Sequence, residues 1–187
     1  MNTTEQSLSD LSGLGAAAKY ISPHVVGADV LVIGTGFTEI QYLERPDILM
    51  SGGANSVTYL EVWDEYADKW SDGKYPIVRG NVLNIADIFR PNSFDIILWP
   101  QGPEHIGREE MPSCFQDILS VCRKVALFTC PWGSYYDAQE TVYGNPYERH
   151  VQKSIRLEDV DGVGGFQVET YGEFNKGSGG LIIWREK

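Results

Sequence analysis

Cysteine is scarce in this sequence, and basic side chains are far fewer than acidic ones. Cys114, Cys122 and Cys130 are the only three cysteines in 187 residues. A sparse, odd set is not a disulfide framework, and none of the three pairs in a CxxC. They are expected to be small buried residues in a reducing compartment. The histidines, His24, His105 and His150, are scattered. No zinc-ligand spacing is present, and no metal site is expected. No apolar run approaches the ~20 residues of a membrane span. The opening residues, MNTTE, lack the basic and apolar parts of a secretory signal, so the expected location is the cytoplasm with no membrane partner. Fifteen basic against 26 acidic residues give a net charge of -11. Such a balance repels phosphate backbones, which disfavours a nucleic-acid substrate and points to small molecules, sugars or other proteins. It is also an ordinary balance for a soluble surface.

What is present is a run of alternating elements. Leu8, Leu11, Leu14 and Ala18 lie on one face of an N-terminal helical segment within residues 1–22, which Gly13 and Gly15 weaken. Residues 30–33, VLVI, form a continuous β-branched run, as in a strand buried on both faces. Gly34-Thr35-Gly36 ends it, and Thr38 caps a short helix through Leu43. Pro46 reads as an interruption and residues 51–55 as a turn. Further strands are expected at 57–62, 76–81, 93–99, 125–129, 166–170 and 180–184, with helical segments at 64–70, 84–89 and 108–121. Pro112 fits the first turn of the last of these helices. Residues 131–150 form a long loop rich in aromatic side chains. This alternation predicts one domain over residues 1–187, with a doubly wound, mostly parallel α/β core over 29–187. The closing strand pair calls for an antiparallel strand at the sheet edge. Nothing in the sequence fixes an oligomeric state.

In doubly wound sheets, ligands bind at the carboxyl ends of the strands. Gly34 and Gly36 let a ligand approach the main chain there, although a GxG alone is also a plain strand-to-helix turn. Glu61 ends the second strand on the same rim, where a carboxylate can accept two hydrogen bonds from a ribose diol. A dinucleotide fingerprint would need glycine at position 39, where Glu39 stands. No P-loop follows either. A nucleoside without phosphates fits this turn better than a dinucleotide does.

With these residues in hand, the chain resembles the class I S-adenosylmethionine-dependent methyltransferases over about residues 29–184. DVLVIGTG (29–36) looks like the family's glycine loop, and YLEVW (59–63) is similar to its second strand and acid. RGNVL (79–83) resembles the third motif. NSFDIILW (92–99) and EHI (104–106) resemble the run into strand four and its exit, and GNPYERH (144–150) resembles a later segment of some bacterial members. The resemblance implies a Rossmann-like methyltransferase fold of seven strands with an antiparallel C-terminal strand, and S-adenosylmethionine as cofactor. It implies that Gly34, Thr35 and Gly36 cradle the amino acid portion. Glu61 binds the ribose hydroxyls, Val62 lies against adenine, and Asn81 and Val82 border the adenine.

Methyl transfer asks the protein to orient a nucleophile and exclude water, and a hydroxyl acceptor also needs a base. His105 is the base candidate and Glu104 its orienting partner or a cofactor contact; each is equally readable as a helix-leading residue. Trp99 either stacks on the cofactor or belongs to the core. Trp99-Pro100-Gln101-Gly102 lacks the Asn/Asp-Pro-Pro-aromatic motif of nucleobase methyltransferases. Trp132, Tyr147, Arg149 and His150 are the substrate-binding candidates in the aromatic loop, which equally suits packing on the body. The expected activity is methyl transfer to a small-molecule or glycan-like acceptor, on oxygen. The alternative is a non-catalytic binding or assembly protein of the same fold, motivated by Glu39 and the altered loop.

Overall fold

The computed structural model describes residues 17–36, 45–132, 144–152, 155–172 and 180–187. The expected helix over 38–43 and most of the N-terminal helix lie outside these residues. So do Glu39, most of the aromatic loop and residues 173–179.

Seven strands form one sheet: β1 Asp29–Ile33, β2 Ser56–Glu61, β3 Ile77–Arg79, β4 Phe94–Pro100, β5 Cys122–Pro131, β6 Gln167–Tyr171 and β7 Gly180–Glu186. Their order is β3-β2-β1-β4-β5-β7-β6. The first five run parallel, β7 is antiparallel to β5, and β6 is antiparallel to β7. The antiparallel C-terminal strand is therefore present but interior. β7 lies between β5 and β6, so β6 takes the edge expected for it.

The apolar runs are continuous because the sheet is covered on both faces. Leu31, Ile33, Ile97, Trp99, Ala126 and Phe128 face one core layer. Their neighbours Val30, Val32, Ile96, Leu98, Val125 and Leu127 face the other. This is the period of two carried through a doubly buried sheet. The helices are α1 Ala18–Ile21, α2 Arg45–Ser51, α3 Asp64–Lys69, α4 Ile85–Ile88, α5 Met111–Val121 and α6 Leu157–Val160. On α5, Met111, Cys114, Phe115, Ile118 and Leu119 are buried, the i, i+3, i+4, i+7 stripe of an amphipathic helix. Pro112 sits in its first turn, where a missing N–H costs nothing.

Two differences from the sequence reading have a clear cause. Pro46 begins α2 instead of breaking the chain, since the first turn of a helix tolerates proline. Short α6 follows the aromatic loop, with Asp159 accepting from the backbone N–H of Arg156 at 2.8 Å. The three cysteines are buried and free. Burial pushes the Cys114 thiol up to about 12 and that of Cys122 up to about 11, so neither is reactive. Among the described residues, no helix is long and apolar enough to cross a membrane.

At the amino ends of the strands, Arg123 ties the sheet together. Its guanidinium donates to Asp95 at 3.1 and 2.8 Å and to Asp29 at 3.0 Å. These contacts hold the Asp95 carboxyl well below the usual carboxylate range. The opposite, carboxyl-end rim is where the sheet opens.

Candidate active site

Strand order reverses between β1 and β4, which leaves a crevice beyond their carboxyl ends. A cleft of about 570 Å³ occupies it, a size typical of small-ligand sites. Gly34 and Gly36 form its edge at the end of β1. Both adopt positive φ, +85° and +69°, a conformation that costs other residues about 1–2 kcal/mol. A Cβ on Gly34 would meet no atom within 4 Å, so this part of the main chain is bare to the cleft.

Glu61, at the end of β2, is 4% exposed and lines the same cleft. Its Oε2 accepts from Thr35 N at 2.8 Å and Thr35 Oγ1 at 2.9 Å, and its Oε1 accepts from Trp63 N at 2.9 Å. The acid and the glycine turn are thus directly bonded across 26 positions of sequence. A carboxylate offers about four acceptor positions, so one on Oε1 is left over. The Thr35 hydroxyl has a second acceptor in Gly36 O at 3.3 Å. One proton serves only one of these at a time, and turning it to Gly36 releases a second position, on Oε2. Thr35 itself is fully buried and does not line the cleft; its part is to hold Glu61.

Val62, Asn81 and Val82, which the resemblance places beside adenine, line the cleft. Asn81 Oδ1 caps the following turn by accepting from Leu83 N at 3.0 Å. One acceptor position of that oxygen is therefore already used. Trp99 borders the cleft but is 5% exposed, edge-on to Phe128 at 5.7 Å. It belongs to both the core and the cleft wall. Trp132 packs against the core and does not reach the cleft, and Arg149 is also outside its lining. Tyr147 and His150 do line it.

The far wall is built from two chain segments. Pro103–His105 is a short 3-10 turn after β4. Gln101 before it has a φ of +51° and is held by Thr129 Oγ1, which accepts from its backbone N–H at 3.1 Å. Strain of this kind gathers at functional sites. Residues 144–152 are stitched onto the turn. Val151 N and Gln152 N both donate to Glu104 O, at 2.9 and 3.2 Å. Gln152 Nε2 donates to Pro103 O at 3.0 Å and Ile106 O at 3.1 Å. The result brings the His150 ring to 5.2 Å from that of His105.

His105 Nδ1 lies 3.2 Å from Arg149 O. A carbonyl only accepts, so this contact is a hydrogen bond in the tautomer with the proton on Nδ1, in which Nε2 is the basic nitrogen. Burial lowers the His105 pKa to about 4, so the ring is neutral. Glu104 is 1% exposed, and its Oε2 has no hydrogen-bond partner. Burial first, then the nearby Glu148, raises its pKa to about 8. Glu104, His105 and His150 present ligand atoms within 4.8 Å of one another. No ligand spacing in the sequence marks such a set, because its members come from two segments joined only in the fold. Tyr66, Gln101, Glu110, Asn145 and Glu148 also line the cleft; Asn145 and Glu148 lie within the GNPYERH run, whereas Tyr66 and Glu110 belong to no motif. Among the described residues, the lining holds four acidic side chains, Glu61, Glu104, Glu110 and Glu148, and no lysine or arginine.

No protein-family model matches the chain, and no curated protein matches it in sequence. Solved structures do match in shape. An S-adenosylmethionine-dependent methyltransferase from Mesorhizobium loti superposes with a TM-score of 0.69 at 12% identity, covering 96% of this chain and 100% of that one. The 1,6-didemethyltoxoflavin-N1-methyltransferase of Burkholderia thailandensis, solved with its substrate and S-adenosylhomocysteine, gives 0.59 at 17% identity, over 96% and 80%. Magnesium protoporphyrin IX methyltransferase of Synechocystis PCC 6803 with S-adenosylhomocysteine gives 0.59 at 11%, over 100% and 88%. At such identities the likeness is one of fold. The strand order, the glycine turn and the shape matches agree: the chain has the fold of the class I S-adenosylmethionine-dependent methyltransferases.

Proposed function

We propose that the protein is an S-adenosylmethionine-dependent methyltransferase acting on an oxygen of a small-molecule or glycan-like acceptor. The observation that carries this reading is the bonded pair of Glu61 and Thr35 beside bare Gly34, at the rim of an open cleft that is lined by acidic side chains and, among the described residues, by no lysine or arginine. A dinucleotide would bring a pyrophosphate against a wall that carries Glu61 and Glu110 and, among the described residues, no lysine or arginine, which like-charge repulsion opposes. A sulfonium and an ammonium group are favoured by the same wall.

S-adenosylmethionine, when bound, supplies a methyl group on positively charged sulfur. The chain's part is to bind, orient and exclude water. Glu61 offers a ribose diol the free position on Oε1 and the position on Oε2 that Thr35 Oγ1 releases when it turns to Gly36 O. Val62 and Val82 give adenine an apolar bed, and the remaining acceptor position of Asn81 Oδ1 faces the same side. His105, neutral and fixed by Arg149 O, presents Nε2 to an acceptor hydroxyl and takes its proton. Tyr147 and His150 flank the acceptor. The acidic surface and lining favour a small or sugar-like acceptor over nucleic acid, and the sparse cysteines fit a cytoplasmic setting.

Isothermal calorimetry with S-adenosylhomocysteine tests this. Binding in the micromolar range is expected, weakened at least about tenfold (1.4 kcal/mol) in Glu61→Ala. Absence of heat in the wild type, together with an unchanged melting temperature, contradicts it. Binding without turnover across acceptor panels favours a non-catalytic protein of the same fold.

A further inference from the structure

We propose that Glu104, His105 and His150 form a divalent-cation site in the wall of the cleft, through which an acceptor with two adjacent oxygen atoms is held. Three observations carry it. The ligand atoms lie within 4.8 Å of one another, and all three residues line the cleft. The Glu104 carboxyl is buried, with Oε2 lacking any partner. A carboxylate in that position is costly unless something positive meets it, and among the described residues the cleft lining supplies no lysine or arginine.

The third observation is that the set is built, not incidental. Val151 N and Gln152 N bond to Glu104 O, and Gln152 Nε2 spans Pro103 O and Ile106 O. These bonds pin the two segments that carry the three residues. The His105 Nδ1–H bond to Arg149 O leaves Nε2 as the donor atom. A metal-binding histidine characteristically gives its other N–H to a carbonyl or carboxylate in this way.

Two imidazoles and a carboxylate favour Zn²⁺ or Mn²⁺ over Mg²⁺ or Ca²⁺. Ligand atoms on such ions stand about 3–3.5 Å apart at metal distances of about 2.1 Å. Binding therefore requires the half-buried His105 and His150 side chains to rotate so that the observed spread of 4.8 Å closes. Three protein ligands leave positions open to the cleft, and a vicinal diol, or a hydroxyl beside a carbonyl, fills two of them. This part rests on the methyl-transfer reading and narrows its acceptor class. With the cation in place, His105 Nε2 is a ligand. The O–H bond of the coordinated hydroxyl then breaks with its electron pair left on oxygen, and the proton passes to water instead of to His105.

Electron paramagnetic resonance of Mn²⁺ titrated into the full chain, with no methyl donor present, tests the site. About one equivalent is expected to lose its free-ion signal at about 0.1 mM protein, and Zn²⁺ is expected to displace it. Glu104→Gln and His150→Ala are each expected to weaken binding at least about tenfold, with far-UV circular dichroism unchanged. Should Glu104→Gln fail to fold, His150→Ala alone decides. A signal that stays free in the wild type, or binding that persists undiminished in a folded variant, overturns the proposal. S-adenosylhomocysteine calorimetry on the same samples separates the two readings. Its binding without Mn²⁺ binding removes the cation site and leaves methyl transfer standing. Mn²⁺ binding without it removes methyl transfer and leaves the cation site.

Discussion

Thr35 and Glu61 are bonded twice, through the Thr35 amide at 2.8 Å and its hydroxyl at 2.9 Å, both to the same carboxylate oxygen. The glycine turn and the acid of β2 therefore hold each other in place before any ligand arrives. Thr35→Val removes one of the two bonds and keeps the shape. It is expected to lower stability by about 1–2 kcal/mol, measured by urea unfolding, since the lost bond was to a buried carboxylate. Affinity for S-adenosylhomocysteine is expected to stay within about threefold, because the hydroxyl yields that position when ribose binds.

Gly34→Ala tests the bare main chain. Its φ of +85° disfavours alanine by about 1–2 kcal/mol, and the added methyl stands in the open cleft. The expected result is a modest fall in melting temperature with a loss of S-adenosylhomocysteine affinity of at least about tenfold by calorimetry. A full retention of affinity would place the ligand elsewhere.

Glu104→Gln is expected to act in opposite directions on stability and on function. In chelating buffer the variant loses a buried carboxylate whose Oε2 has no partner, and is expected to gain about 1–2 kcal/mol in urea unfolding. Methyl-acceptor turnover is expected to fall at the same time.

The Arg123 network sets the response to acid. The Asp95 carboxyl is held below its ordinary range by Arg123. Its contribution is complete above the unfolded value, about pH 4, and is lost as pH falls toward the depressed folded value. Melting temperatures between about pH 5 and pH 2 should fall more steeply in the wild type than in Asp95→Asn. At neutral pH, Arg123→Ala is expected to cost about 1–3 kcal/mol, since Lys124 at 3.1 Å still meets part of the charge.

The features legible in sequence were those with local causes. Residues 30–33 read as a doubly buried strand because their apolar run does not alternate, and 93–99 as a strand from its apolar run; both are central strands. Gly34, Gly36 and Glu61 stand out in sequence because the glycines follow one strand and the acid ends the next, on the rim where the cleft opens. The EHI run placed Glu104 and His105 at the exit of β4, where they lie. What sequence could not supply depended on distant pairing. The interior position of β7 comes from its bonds to β5 and β6 together. Pro46 marked a helix start instead of a break, and only packing decides between the two. The approach of His150 to His105 rests on backbone bonds from Val151 and Gln152 to Glu104 O. No spacing rule encodes those bonds, and the expectation of scattered histidines failed there.

The most direct test of the account is a crystal structure of the protein grown with S-adenosylhomocysteine. Density is expected across the cleft, with both ribose hydroxyls on Glu61, the Thr35 hydroxyl turned to Gly36 O, and the amino acid portion over Gly34. A cleft that stays empty at saturating ligand, or a ligand bound with Glu61 still closed on Thr35 and untouched by ribose, would contradict it.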